Sequence, residues 1–424
     1  MAERSLAERD QKVIWHPYTQ MHKASLPIPI VRGEGVYLIA EDGRKFIDAV
    51  SSWWVNIHGH AHPYIAEKVN EQLRTLEHVI FAGFTHLSAV ELDERVLAIL
   101  PDNQKKVFYS DNGSTAVEVA LKMCLQYWSN SGRPRTKVLA FHDSYHGDTF
   151  GAMAVSARSA FTRPFDRMLF EVEFIEVPNA ENISAIKNRL SILSSELAAF
   201  IFEPLVQGAG GMNMYEARYL DELLAHCKKE GILTIADEVM TGFGRTGKLF
   251  ASSHLFEQPD VMCFSKGITG GTMALGLTTC ISKIFDAFLS EDKLKTLFHG
   301  HSFTANPVSC SAALASLDLL LKRETLNDIE RIGDTHSKFT PRISGHPKVR
   351  TIRQTGTILA IEWETGYNTS YFNSLRDDLY NFFLEKNIIL RPLGNIIYIM
   401  PPYCISNEQL EYIYTQIEKA LEQF

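Results

Sequence analysis

Between residues 88 and 325, short runs of β-branched and aromatic residues alternate with stretches of helical periodicity. No other feature restricts the fold of this 424-residue chain so tightly. Runs at 106–110, 138–141, 199–203, 232–236, 261–264 and 278–282 read as strands, being short and bounded by turn residues. Helical periodicity covers 115–128, 216–230 and 306–321. A strand that re-enters its sheet through a helix lies parallel to the strand before it. The alternation therefore predicts an α/β fold, a mostly parallel sheet covered by helices.

The flanks differ. Residues 63–76 have helical spacing, with Ile65, Val69 and Leu73 on one face. The first 50 residues look irregular apart from a hairpin, signalled by the run at 35–39 and the turn Glu41-Asp42-Gly43. After 325 the strands predicted at 349–353, 357–362 and 396–400 are interleaved with helices at 371–386 and 407–422, a smaller α+β unit. The expected division is an N-terminal segment (1–60) that joins the small unit and the substrate cavity, a large domain (61–325) and a C-terminal domain (326–424).

Two of the strand-like runs end in chemistry. The run 261–264 leads through Ser265 to Lys266, a lone lysine among small residues, and the run 232–236 leads to Asp237. A buried lysine is costly unless its amine is used. An amine and a carboxylate at two strand ends are what pyridoxal phosphate requires. The amine condenses with its aldehyde, and the carboxylate keeps its pyridine nitrogen protonated.

Four further segments fit that requirement. Gly113, Ser114 and Thr115 sit between a strand and a helix, where backbone N–H groups and the helix terminus favour a phosphate. An ordinary helix cap is the plainer alternative. Tyr145, in His142-Asp143-Ser144-Tyr145-His146-Gly147-Asp148-Thr149, can lie flat on a cofactor ring, with Val239 on the opposite face; a polar loop is the alternative. The adjacent Trp53 and Trp54 cannot easily face one core, so one of them lines a cavity or an interface. Arg391 suits bidentate capture of a substrate carboxylate, although a surface arginine is the commoner case.

Composition excludes several classes. A net charge of −8 without a basic stripe speaks against nucleic acid. Six scattered cysteines without a Cys-x-x-Cys pair read as reduced thiols, hence a cytoplasmic location. The N-terminus lacks an apolar signal core, and no apolar stretch approaches the ~18 residues of a membrane span. His58, His60 and His62 lack zinc-site spacing, as do the histidines at 142 and 146, so no metal is expected.

Taken together, these segments resemble the class III aminotransferases of fold type I over nearly the whole chain. Asp237 through Arg245-Thr246-Gly247 to Ser265-Lys266-Gly267 is similar to the signature of that class. The resemblance implies a large domain with a seven-stranded sheet and pyridoxal 5′-phosphate as cofactor. It assigns Lys266 to the covalent link, Asp237 to the pyridine nitrogen, Gly113 and Ser114 to the phosphate, and Tyr145 and Val239 to the ring. It implies a homodimer with shared active sites, in which Ser302 completes the partner's phosphate site. Here the class has His-Gly-Pro-Thr-Phe, whereas this chain has His299-Gly300-His301-Ser302-Phe303, which keeps a hydroxyl and loses the proline.

Trp15-His16-Pro17-Tyr18-Thr19-Gln20-Met21, Ser51-Ser52-Trp53-Trp54 and Arg391-Pro392-Leu393-Gly394-Asn395 are similar to segments of the branch that serves biotin biosynthesis. That likeness implies ping-pong transfer of an amino group from S-adenosylmethionine to 8-amino-7-oxononanoate, giving 7,8-diaminononanoate through pyridoxamine phosphate. Tyr18, Trp53, Trp54, Tyr145, Asp148, Lys266, Gly300 and Arg391 would form the substrate site. Lysine as donor, an ω-aminotransferase acting on a diamine or ω-amino acid, and a non-catalytic cofactor-binding protein remain as alternatives.

Overall fold

Seven strands form the large sheet: β1 (Gln104–Ser110), β2 (Lys137–Phe141), β3 (Val172–Ile175), β4 (Leu197–Phe202), β5 (Leu233–Asp237), β6 (Val261–Phe264) and β7 (Gly276–Ile281). Their order across the sheet is β1-β7-β6-β5-β4-β2-β3. From β3 to β6 every neighbouring pair is parallel; β7 runs antiparallel to both β6 and β1. The computed structural model describes residues 5–366, 369 and 371–424. Residues 1–4, where the expected N-terminal segment begins, lie outside the described residues.

The six expected strands are all present, and β3 is the one the sequence did not reveal. β4, β5 and β6 are buried along their whole length, as a sheet covered on both faces requires. β3 lies at the edge, and only its Ile175 is fully buried. It therefore lacks a continuous apolar run, and its Glu173 pairs with Arg189 at the surface. The helix Gly113–Asn130 packs on β6 and β7, starting two residues before the expected 115.

The hairpin expected near residue 40 exists as Tyr37–Ala40 paired with Lys45–Asp48. These strands and Ile30–Glu34 form a small sheet that a C-terminal strand, Ile388–Ile389, joins in parallel with Lys45–Asp48. A second small sheet contains Val349–Thr355, Ile358–Trp363 and Ile396–Ile399. The helices Arg323–Ile343 and Asn407–Gln423 pack together, with Phe339 stacked on Tyr414 at 4.1 Å between ring centroids.

One expectation needs correction. The first 50 residues are not wholly irregular: Leu6–Val13 is a helix, started by reciprocal hydrogen bonds between Ser5 and Glu8. It is short and mostly polar, so it leaves no apolar stripe to read. The helix Pro63–Thr75 is present as expected, with Ile65 buried and Leu73, on the same face, 52% exposed. Among the described residues, nothing covers the C-terminal end of that face.

Candidate active site

Beyond the carboxyl ends of β4, β5 and β6 lies a cavity of ≈ 510 Å³. Ligands of open parallel sheets sit at such strand ends. Lys266, Asp237, Tyr145, Val239, Gly113, Ser114 and Trp54 all line it, so seven of the expected site residues meet in one place.

Lys266 follows β6 with a φ of 47° and opens the short 3₁₀ turn Lys266–Thr269. The preceding Ser265 anchors the turn by donating its hydroxyl to the Leu275 carbonyl at 2.7 Å. Protein surrounds the Lys266 amine, which reaches to 4.9 Å from the ring centroid of Trp54, while the residue stays partly open to the cavity. Burial pushes this amine below the ordinary lysine range. The Asp237 and Glu203 carboxylates oppose that shift, and Arg245 adds to it.

Asp237 ends β5 and is 4% exposed. Its Oδ2 lies 2.7 Å from His146 Nδ1, and its Oδ1 accepts the Val239 N–H at 3.0 Å. The carboxylate is thus held from both sides. His146 is itself fixed by its backbone N–H, which donates to Ser156 Oγ at 2.8 Å.

Of the three residues expected to hold an anion, two line the cavity. Asn112 caps the helix Gly113–Asn130 by accepting the Thr115 N–H at 3.0 Å, and the Thr115 hydroxyl donates to Asp111 at 2.7 Å. Thr115 is therefore spent on the cap, and Gly113 and Ser114 are left on the wall. Gly113 has no room for a side chain, because a Cβ would come within 2.6 Å of Val239 Cγ1. At Gly147, with φ 131°, a Cβ would stand 2.0 Å from Ser114 Oγ. The loop and the helix terminus therefore approach as only glycine permits.

A polar and aromatic cluster adjoins this cavity. Tyr18 donates to Asp148 Oδ2 at 2.5 Å, and its hydroxyl is 3.3 Å from that of Tyr145. Burial, reinforced by Asp148, pushes the Tyr18 phenol up to about 12. The Tyr145 phenol is raised in the same way, first by burial. Trp53 stands 5.6 Å from the Tyr18 ring, and the Arg391 guanidinium lies 4.3 Å above the Trp53 ring. Trp54 is buried and donates from Nε1 to the Tyr398 hydroxyl at 2.9 Å. Gly300 and Ser302 are not on the cavity wall of their own chain; both are exposed on the 299–306 loop.

Two site residues escaped the sequence reading. Glu203, just after β4, lines the cavity and accepts the backbone N–H groups of Tyr145 (3.0 Å) and Gly208 (2.9 Å). Burial raises its carboxyl to about 7; the nearby His146 counteracts the shift and Asp237 adds to it. The other is His146, behind Asp237. Glu203 carried the same signal as Asp237, an acid ending an apolar run. His146 meets its partner only through the fold. The histidines at 58 and 60 serve hydrogen bonds, to Ser316 at 3.0 Å and to Asp48 at 2.9 Å.

The donor set fits pyridoxal phosphate: an amine, a fixed buried carboxylate, Tyr145 and Val239 on the cavity wall, and a helix terminus with its glycine where an anion would fit. The model for "Aminotransferase class-III" matches residues 18–421. The chain belongs to the class III aminotransferases. It is 46% identical to the adenosylmethionine-8-amino-7-oxononanoate aminotransferase of Synechococcus elongatus, over 97% of this chain and 98% of that protein. The crystal structure of the same-named enzyme of Methanocaldococcus jannaschii superposes with a TM-score of 0.94 at 34% identity, covering 99% and 98% of the two chains. A PLP-bound amine transaminase from an uncultivated Pseudomonas species gives 0.91 at 28% identity, covering 97% and 98%.

Proposed function

We propose that the chain uses pyridoxal 5′-phosphate to move the amino group of S-adenosylmethionine onto the ketone of 8-amino-7-oxononanoate, giving 7,8-diaminononanoate for biotin biosynthesis. The observation that carries this reading is Lys266 and Asp237 on one cavity wall, beside an arginine stacked on Trp53. When bound, the cofactor supplies an aldehyde to take up the amino group and a pyridine ring to draw electrons from the substrate carbon.

The chain supplies the rest. Asp237, steadied by His146, holds a proton at the pyridine nitrogen. Lys266, with its lowered pKa, is the base that takes a proton from the donor carbon in one half-reaction and the acid that delivers one to the acceptor carbon in the other. Gly113 and Ser114 offer the helix terminus to the phosphate. Arg391 receives a substrate carboxylate. Tyr18 and Trp53 present aromatic faces to a sulfonium in one half-reaction and to an apolar chain in the other. One site serving two dissimilar substrates in turn accounts for a ping-pong order.

The working unit is proposed to be a homodimer. Segments 77–87 and 298–306 lie side by side, joined by His86 Nε2 to the Ala305 carbonyl at 2.7 Å and Asn306 Nδ2 to the Glu77 carbonyl at 3.1 Å. They expose Ile80 (61%), Phe84 (63%), Leu87 (71%), Phe298 (67%) and Phe303 (65%). A second copy covering this surface would receive Gly300 and Ser302 at its own phosphate site. Among the described residues no helix is long and apolar enough to cross a membrane. Five of the six thiols are buried and none is paired, which supports a cytoplasmic location. The division at 60 and 325 belongs to the same proposal, and the pairing of Lys45–Asp48 with Ile388–Ile389 supports it.

The test is to supply the purified protein with pyridoxal phosphate, 8-amino-7-oxononanoate and either S-adenosylmethionine or lysine, and to assay the diamine by mass spectrometry. The diamine is expected with S-adenosylmethionine. Its formation with lysine alone overturns the donor, and its absence with both overturns the reaction.

A further inference from the structure

We propose that Asp48, acting with Ser52 and His60, is a positioning centre for the substrate wall: it fixes the turn that carries Trp53 and Trp54 and ties it to the segment that carries Arg391. The proposal rests on the reaction described above. None of the three residues lines the cavity, so none is a catalytic residue.

Asp48 ends the strand Lys45–Asp48 and is fully buried at 0% exposure. A buried carboxylate must be well provided with donors to persist. Its Oδ1 accepts the Val50 N–H at 3.2 Å, and its Oδ2 accepts the Ser52 hydroxyl at 2.9 Å. The third donor is His60, whose Nε2 lies 2.9 Å from the same oxygen.

The tautomer follows from the next link. Asn56 Oδ1 accepts the Gly59 N–H at 2.7 Å, which orients the amide so that Nδ2 points to His60 Nδ1, 3.1 Å away. Nδ1 must then accept, so a neutral ring carries its proton on Nε2 and donates to Asp48. All three donors come from residues 50–60, and together they close that segment around one carboxylate.

The segment needs holding. Ser51, Ser52 and Trp54 have φ of 52°, 59° and 67°, in the left-handed region that disfavours ordinary side chains. Two of Asp48's donors, on Val50 and Ser52, bracket the first of these residues. Elsewhere in the turn the Ser51 hydroxyl donates to the Met400 carbonyl at 2.8 Å, and the buried Arg245 reaches the Trp54 and Asn56 carbonyls at 3.4 Å.

Asp48 also faces the other half of the wall. It pairs in register with Ile389, and the Ala49 N–H donates to the Ile389 carbonyl at 3.2 Å. Arg391 is two residues further on, with its guanidinium 4.3 Å above Trp53. Asp48 is thus joined to both sides of the Trp53–Arg391 stack, by its side chain to the turn and by backbone pairing to the strand before Arg391. Its loss should tilt one against the other and leave Lys266 and Asp237, on the far sheet, in place.

The experiment compares holoenzyme with Asp48→Asn, and with Ser52→Ala as a milder variant that keeps the test alive should the first not fold. Expected is a KM for 8-amino-7-oxononanoate raised about tenfold or more in Asp48→Asn, the scale of one misplaced charge-assisted hydrogen bond, and a smaller rise in Ser52→Ala. The kcat at saturation should stay within about threefold, a split that marks lost binding. A merely structural role predicts the reverse, unchanged KM with kcat falling in step with the folded fraction, and that result overturns the proposal. Near-ultraviolet circular dichroism of the Trp53–Trp54 pair, with a Trp53→Phe variant as reference, is read without substrate. It should change in both variants, and an unchanged spectrum also overturns the proposal. A wild type that makes no diamine sinks the reaction while leaving this spectral test intact.

Discussion

Burial works against the charge on Lys266, and the account depends on that. An amine whose pKa is lowered in the folded protein is a free base at lower pH than ordinary lysine. The rate at which cofactor-free protein attaches pyridoxal phosphate, followed by absorbance, should therefore level off below pH 10.5, the ordinary lysine value. A rate still climbing through that pH would show an unperturbed amine. Lys266→Ala should bind the cofactor through its ring and phosphate contacts yet lose transamination, and near-normal turnover by a variant verified by mass would refute its role. Asp237→Asn should keep the His146 contact but lose the charge that holds the pyridine proton. The expected fall in kcat is about 10²–10³-fold, as for removal of one preorganised electrostatic partner. A loss of only a few-fold would assign that role to another acid, and Glu203, with a carboxyl near 7, is the one to examine. Lys266 and Asp237 were legible in sequence because each closes an apolar run, the lysine standing alone among small residues. His146 was not, because its partner is 91 positions away and only the packing of the 145–148 loop against β5 joins them.

At the scale of elements, the proposed cofactor cradle is a fit between a helix terminus and a loop. Ser114 on the helix Gly113–Asn130 accepts the Asp148 N–H at 3.2 Å, and Gly147 leaves no space between them. Gly147→Ala would drive a methyl group into Ser114 and force a left-handed alanine, so loop and helix must part. Cofactor affinity, measured by dialysis equilibrium, should fall about tenfold or more, since a hydrogen bond to a charged group is worth about 1.5–3 kcal/mol. Unchanged affinity would place the phosphate elsewhere. The large sheet was readable because its central strands, buried on both faces, are nearly continuous apolar runs. β3 was hidden because an edge strand with a surface glutamate has no such run. The same logic explains the cap: Thr115 reads as a phosphate ligand in sequence, but Asn112 and Asp111 claim it once the helix starts at Gly113.

At the scale of the whole molecule, Gly300 and Ser302 are exposed beside a band of uncovered apolar side chains, and a second copy is the economical explanation of both. The protein should sediment as a dimer, and Leu87→Asp should give monomers that also lose cofactor affinity. A fully active monomer would remove the shared-site proposal without touching the assignments of Lys266 and Asp237. The exposure of Leu73 belongs here too: its spacing was read correctly, but a single sequence does not say whether an apolar face meets its own core or another chain. The central claim is that the amino group of S-adenosylmethionine passes through this cavity to the ketone of 8-amino-7-oxononanoate. Donor carrying ¹⁵N at its amino group tests that directly, with the isotope content of the 7,8-diaminononanoate read by mass spectrometry. The account predicts one ¹⁵N per product molecule, in the newly formed amine, and none when Lys266→Ala replaces the wild type. Unlabelled diamine from the wild-type protein, or label incorporated equally well by Lys266→Ala, would contradict it.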